Sequence, residues 1–139
     1  MAPTDRYVSE TTFHVRYAET DMMGIVHHAS YLVWFEEGRS AFIREQGGSY
    51  ASIEESGYFL AAGELTARYI KAAIYDQQVT VKCWIDSYKS RTITFACEVV
   101  GTEDDSLLFK SSLKLICLDK IEHQITRIPT EDWSQWLGG

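Results

Sequence analysis

Apolar and polar residues alternate along most of this chain, and the places where the alternation breaks divide it into elements. Phe13, Val15 and Tyr17 alternate with His14 and Arg16, the period of a strand with one buried face. Between residues 18 and 28 the alternation stops around Gly24, as it does in a tight functional loop. From residue 29 to about 46 the spacing turns helical. At ~100° per position, Tyr31, Leu32, Trp34, Phe35, Ala41, Phe42 and Ile43 fall on an arc of roughly 200°. Glu36, Glu37, Ser40 and Arg44 fill the other side, so the predicted helix is wrapped over more than half its circumference and wetted along one strip. Gly47-Gly48 end it. Arg39 falls inside the apolar arc and needs a carboxylate, from Glu36 three positions earlier or from another element. A second, short helix is predicted over residues 50–55.

After Phe59 the pattern is strand-like throughout. Leu65, Ala67 and Tyr69 alternate, then Val79, Val81, Cys83 and Ile85, then Ile93, Phe95, Cys97 and Val99, then Leu107, Phe109, Leu113, Leu115 and Cys117. All four runs are expected to face one core. The connections at residues 88–90 and 102–106 are too short for parallel crossovers and predict antiparallel hairpins. Pro129, Thr130, Glu131 and Asp132 ahead of Trp133 and Trp136 predict a terminal helical turn or two. One strand, one long helix and an antiparallel meander make an α+β fold in which five or six strands curl around the helix. Such a sheet has two raw edges, and a second copy is the economical way to protect them, so a homodimer or a homotetramer is expected.

The chain has 139 residues, 45% of them hydrophobic and 24% charged, with two prolines and no biased tract. That suits a single domain over residues 1–139 with a real core and argues against disorder. Thirteen basic against twenty acidic residues give a net charge of −7, which disfavours nucleic acid or an anionic membrane as partner while leaving room for one local basic pocket. Cys83, Cys97 and Cys117 lack CxxC spacing and share the inward register of their strands, so they read as small buried hydrophobes. The first residues contain no apolar signal core, and a cytoplasmic location is the expectation. No apolar run approaches the ~20 residues of a membrane-spanning helix.

Chemistry concentrates between Tyr17 and Tyr31. Asp21 lies between strand and helix, Gly24 permits a tight turn, and the helix begins a few residues later, bringing a carboxylate near unpaired amide donors. Such donors suit a carbonyl oxygen that becomes anionic under attack, and the carboxylate can attack that carbonyl or activate a water. The plain alternative is an Asx turn, the commoner use of Asp before a helix. Adjacent His27 and His28 raise a metal site, but neighbouring residues diverge and no third ligand has a recognisable spacing, so no metal and no cofactor is expected. GxSxG is absent, which argues against an α/β-hydrolase route.

The run Thr20-Asp21-x-x-Gly24-x-Val26-x-His28-Ala29-Ser30-Tyr31, followed by Phe35-Glu36, Arg39 and Tyr69-x-x-x-Ala73, resembles the signature of hotdog-fold acyl-CoA thioesterases of the 4-hydroxybenzoyl-CoA type, especially their bacterial Tol–Pal-associated branch. The resemblance implies a long helix wrapped by an antiparallel sheet, with active sites at the subunit interface. It implies Asp21 as the catalytic carboxylate, nucleophile or general base, and the backbone N–H of His28 as the group polarising the thioester carbonyl. Gly24 and Val26 would shape the turn and Tyr31 would pack the helix start. His27 stands where many relatives carry an aromatic residue, and Met22-Met23 where they have smaller ones. Two flexible Met side chains can line an acyl pocket or fill a core.

An acyl-CoA substrate brings phosphates that an acidic protein must meet locally. Lys89 and Arg91 flank a hairpin and are the first candidates, with Arg68 and Lys71 behind them; the alternative is that these charges solubilise strand ends. The acyl group remains open between aliphatic and aromatic, 1,4-dihydroxy-2-naphthoyl-CoA among the latter. The rivals are a dehydratase and a domain that binds acyl-CoA without cleaving it.

Overall fold

A computed structural model of the chain describes residues 2–137. Strand β1 (Ser9–His14) leads through a 3-10 turn (Tyr17–Glu19) and a loop to helix α1 (His28–Glu45); then come α2 (Tyr50–Glu55), β2 (Tyr58–Tyr69), β3 (Gln78–Tyr88), β4 (Thr92–Gly101), β5 (Leu107–Asp119) and the short α3 (Ser134–Leu137). The strands form one sheet in the order β1-β3-β4-β5-β2, with every neighbouring pair antiparallel. The hairpins β3–β4 and β4–β5 fall where the short connections predict them. This is the α+β hotdog arrangement expected from the sequence.

The helix is buried on the face the sequence marks. Tyr31, Trp34, Phe35, Ala41, Phe42 and Ile43 are buried and Leu32 half-buried, while Glu36, Glu37 and Arg44 are exposed. The sheet side of this core is Val79, Val81, Cys83, Ile93, Phe95, Cys97, Val99, Phe109 and Cys117. Gly38 also faces inward, and here the missing side chain matters. A Cβ at this position would lie 3.0 Å from Val81 Cγ1 and 3.3 Å from Cys83 Cβ, so glycine sets how closely α1 approaches β3. The three cysteines are free and buried, and burial pushes the thiols of Cys83 and Cys117 up to about 12 and about 11. They are inert at neutral pH.

Three expectations need correction. Tyr17 is not the inward end of the first strand: β1 stops at His14, and Tyr17 stands 78% exposed in the 3-10 turn. Val15 is buried, but its amide bonds Gln77 O outside the β1–β3 register. Arg39 makes no ion pair with Glu36 among the described residues; its guanidinium lies 4.6 Å over the Phe35 ring, and its buried Nε has no hydrogen-bond partner there. The alternating face of β2 is only partly covered, with Leu65 and Tyr69 45% and 48% exposed. Helix α1 packs on β1, β3 and β4, whereas β2 is the far edge strand and bonds only β5. Leu65 is therefore left open, whereas Tyr69 at the end of the strand packs its ring 5.4 Å from Tyr31 at the start of α1.

Candidate active site

The loop between β1 and α1 is tied down at both ends by Glu19. Its carboxylate accepts the Arg16 N–H at 2.8 Å, the Arg16 guanidinium at 2.8 Å and the indole N–H of Trp34 at 2.6 Å. Burial opposes ionisation of Glu19, but these donors prevail and hold the carboxyl below its usual range. The Glu19 carbonyl accepts the His27 N–H at 2.8 Å, so the same residue also fixes the start of the helix. Nothing in the chemistry-bearing pattern marked Glu19. The available signal was Trp34, since a buried indole N–H in the middle of an apolar arc needs an acceptor.

Inside this frame the chain makes a small hairpin. Thr20 bridges Val26, the Asp21 N–H bonds Ile25 O at 2.8 Å, and the Gly24 N–H returns to Asp21 O at 3.0 Å, with Gly24 at φ +80°. Ile25 bridges Ile74, and the Val26 N–H bonds Ala73 O at 2.9 Å, which docks the hairpin on the segment after β2. Asp21 Oδ1 accepts the Met23 N–H at 2.8 Å, so the Asx-turn reading holds for one oxygen. Oδ2 takes no hydrogen bond among the described residues, and the side chain lines a cleft of about 320 Å³ with His27, His28, Tyr31, Tyr69 and Lys71.

Four amides open α1 without helical partners. The His27 N–H goes to Glu19 O, the Ser30 N–H to His27 O at 2.9 Å, and the Ala29 N–H to His27 Nδ1 at 3.2 Å. The fourth, the His28 N–H, has no acceptor among the described residues. Tyr69 steadies the same turn by donating its hydroxyl to His28 O at 3.0 Å. Tyr31 is buried, accepts the Ala73 N–H at 3.0 Å and stacks on Phe109 at 5.0 Å, so it packs the helix start against the sheet. Burial raises its phenol above the ordinary value.

Asp21, Gly24, Val26, His28 and Tyr31 are thus brought together. Lys89 and Arg91 are not brought to the cleft within one chain. They occupy the β3–β4 hairpin, where Arg91 O accepts the Cys117 N–H at the far end of β5. Phe109, beside the cleft, is eight residues earlier on that strand, about 26 Å away at the rise of a β-strand. Lys71 is the cation in the cleft itself. Among the described residues no three His, Cys, Asp or Glu side chains converge as metal ligands, and no helix is long and apolar enough to cross a membrane. A larger groove of about 500 Å³ lies on the outer face of the sheet around Trp84 and Glu98, remote from Asp21.

Met22 and Met23, which the sequence left between pocket and core, are in neither: both are fully or largely exposed, at 104% and 76%. They cap the tip of the small hairpin, where the turn directs them outward.

Comparison with known proteins agrees with this geometry. Residues 23–107 match the family model of the thioesterase superfamily. YneP of Bacillus subtilis, provisionally named an acyl-CoA thioesterase, is 36% identical over 114 residues, covering 82% of each chain. The YbgC acyl-CoA thioester hydrolase of Escherichia coli O6:H1 is 24% identical over 83% of this chain and 85% of its own. A crystal structure of a DHNA-CoA thioesterase from Staphylococcus aureus superposes with a TM-score of 0.85 at 32% identity, covering 94% of this chain and 88% of that one. With the hotdog sheet, the matched family model and the relatives named as acyl-CoA thioesterases in agreement, the chain belongs to the thioesterase superfamily and is a thioester hydrolase.

Proposed function

We propose that the chain hydrolyses acyl-CoA thioesters, with Asp21 as nucleophile or general base and the His28 N–H polarising the carbonyl. One observation carries this reading: three of the four amides at the start of α1 are spent, and the fourth shares a cleft with a carboxylate that keeps one oxygen unbonded among the described residues. A thioester carbonyl oxygen placed on that amide gains a donor at the positive end of a helix, where developing negative charge is stabilised. Asp21 then attacks the carbonyl carbon to form an anhydride that water opens, or it takes a proton from a water whose oxygen attacks. In both routes the C–S bond breaks, sulfur leaves as the CoA thiolate and gains a proton from water, and a free acid remains.

The acyl group is a small aliphatic or aromatic one. Aromatic groups are favoured by the lining, because Tyr69 and the adjacent, mutually tilted rings of His27 and His28 flank the cleft. The Staphylococcus aureus relative, named for DHNA-CoA, supports 1,4-dihydroxy-2-naphthoyl-CoA as the specific alternative. The exposed edge β2, twelve residues long with Leu65 and Tyr69 uncovered, supports a dimer built by pairing this edge with a second copy, and a tetramer beyond it. In such an assembly Lys89 and Arg91 would meet CoA phosphates only from the partner chain. The Tol–Pal-associated branch and a cytoplasmic site of action belong to the same reading, and the three free thiols suit a reducing compartment.

The test is thiol release across a panel of aliphatic and aromatic CoA esters. Asp21→Asn should lower kcat/KM by at least ~10² while leaving the oligomer intact, as loss of a nucleophile or base does. Near-normal turnover in that variant would remove Asp21 from the chemistry. Tight acyl-CoA binding with no thiol release by the unaltered protein would leave a binding module instead.

A further inference from the structure

We infer that His27 is a positioning residue: its neutral imidazole holds the first turn of α1, and with it the His28 N–H, and a proton added to that ring releases both. The inference rests on the reading of the cleft proposed above. Helix N-caps are usually Ser, Thr, Asp or Asn, side chains that offer an oxygen acceptor. Here the cap is an imidazole, and its Nδ1 accepts the Ala29 N–H at 3.2 Å. A ring nitrogen accepts only while it carries no proton, so this bond requires the neutral tautomer with hydrogen on Nε2.

Protonation reverses the contact. Nδ1–H would then face the Ala29 N–H, donor against donor, and a full positive charge would sit at the positive end of the helix. The His27 backbone stays anchored through Glu19 O, so the element that gives way is the first turn after it. That turn carries the one amide left for the substrate carbonyl.

The groups around the ring set the balance. On its own loop, Asp21 shares the cleft and favours the added proton, whereas the Glu19 carboxylate is already engaged by Arg16 and Trp34. From α1, the His28 ring lies 4.3 Å away, centroid to centroid and tilted by 33°, so a second positive charge there is disfavoured. Tyr31 adds no charge at neutral pH, since its phenol is raised by burial. From the segment after β2, Lys71 lines the same cleft with its positive charge, and from the end of β2 Tyr69 faces the same space, its hydroxyl bound to His28 O.

Two measurements decide it. In protein labelled with 15N-histidine, the His27 ring at pH 7.5 should show hydrogen on Nε2 and none on Nδ1. The amide signals of His28 and Ala29 should shift together with the His27 ring signals as the sample is acidified from about pH 7.5 to about pH 5. Hydrogen on Nδ1 at pH 7.5, or amides that ignore the ring, overturns the inference whether or not the protein releases thiol. Failure of the catalytic reading looks different: the amides follow His27 while the unaltered protein cleaves no CoA ester at any pH, and the cap then stands without the enzyme.

Kinetics supply the second measurement. kcat should fall at least ~5-fold over that interval with KM little changed, since an oxyanion donor acts on the transition state. His27→Ala should lower kcat at pH 7.5 by about tenfold, and His27→Asn, a cap that does not titrate, should recover most of that loss and abolish the acid-side fall. An acid-side fall that persists in His27→Asn overturns the positioning role.

Discussion

Glu19 offers the sharpest test of how the active loop is held. Its carboxylate, with the side chain only 14% exposed, accepts three hydrogen bonds, two from Arg16 and one from Trp34 Nε1. In Glu19→Gln an amide oxygen in the Oε2 position keeps the indole and the guanidinium but sets the new NH2 against the Arg16 amide, whereas one in the Oε1 position keeps the Arg16 amide and sets the NH2 against the indole and the guanidinium. Hydrogen bonds to charged groups contribute roughly 1.5–3 kcal/mol each, and a buried donor without an acceptor costs about 1–3 kcal/mol. Arg16 is 60% exposed and water can replace its partner, so its ion pair is discounted to less than about 1 kcal/mol. Trp34 is 1% exposed and has no such recourse. The expected loss is therefore about 1 kcal/mol for Glu19→Gln, which orphans one donor, and about 2–3 kcal/mol for Glu19→Ala, which strips the indole of its acceptor, read as the change in urea midpoint at constant m-value. Trp34→Phe removes the donor, so the Glu19→Ala and Trp34→Phe changes should be non-additive by about 1 kcal/mol or more in a double-mutant cycle.

The same residue makes a pH prediction. Because the folded-state pKa of Glu19 is depressed, its contribution is fully present above the unfolded carboxyl value of about 4.3 and is lost as pH falls through the lower folded value. Stability should decline on acidification below about pH 4.5 less steeply in Glu19→Gln than in the unaltered protein. A Glu19→Ala loss below about 0.5 kcal/mol, or strict additivity with Trp34→Phe, would refute the view that this carboxylate clamps the loop to α1.

Three further outcomes are expected. Lys71→Ala should raise KM for a CoA ester more than it lowers kcat, and the Lys89→Ala/Arg91→Ala double variant should do so only if the chain is oligomeric; steady-state kinetics beside light scattering separates the two. Gly38→Ala should destabilise the protein by about 1 kcal/mol in urea unfolding despite a helix-propensity gain of about the same size, because the new methyl meets Val81 and Cys83 in a packed core. A more stable Gly38→Ala protein would mean that α1 is free to move off β3. Leu65→Asp, on the uncovered part of β2, should shift the elution volume in size-exclusion chromatography to that of a monomer if this edge forms the dimer.

What the residues alone determine here is everything that depends on local period. The buried stripe of α1, the inward registers of β3 and β4, the two tight hairpins and the terminal turn bearing Trp133 and Trp136 all follow from which side chains share a face over a few residues. The tertiary structure decided whatever depends on strand order and on end-to-end distance. Period 2 in Leu65, Ala67 and Tyr69 is real, but placing β2 at the edge of the sheet leaves much of that face uncovered. Lys71 and Lys89 look equivalent along the chain, yet the first abuts the turn that docks the Asp21 hairpin and the second lies at the opposite end of β5. The roles of Gly38, Glu19 and the His27 ring were likewise invisible, because each is defined by an atom contributed from elsewhere: a methyl of Val81, an indole N–H, an amide of the next turn. A sequence reports the face a residue shares with its near neighbours, and only packing of remote segments determines which atoms meet across it.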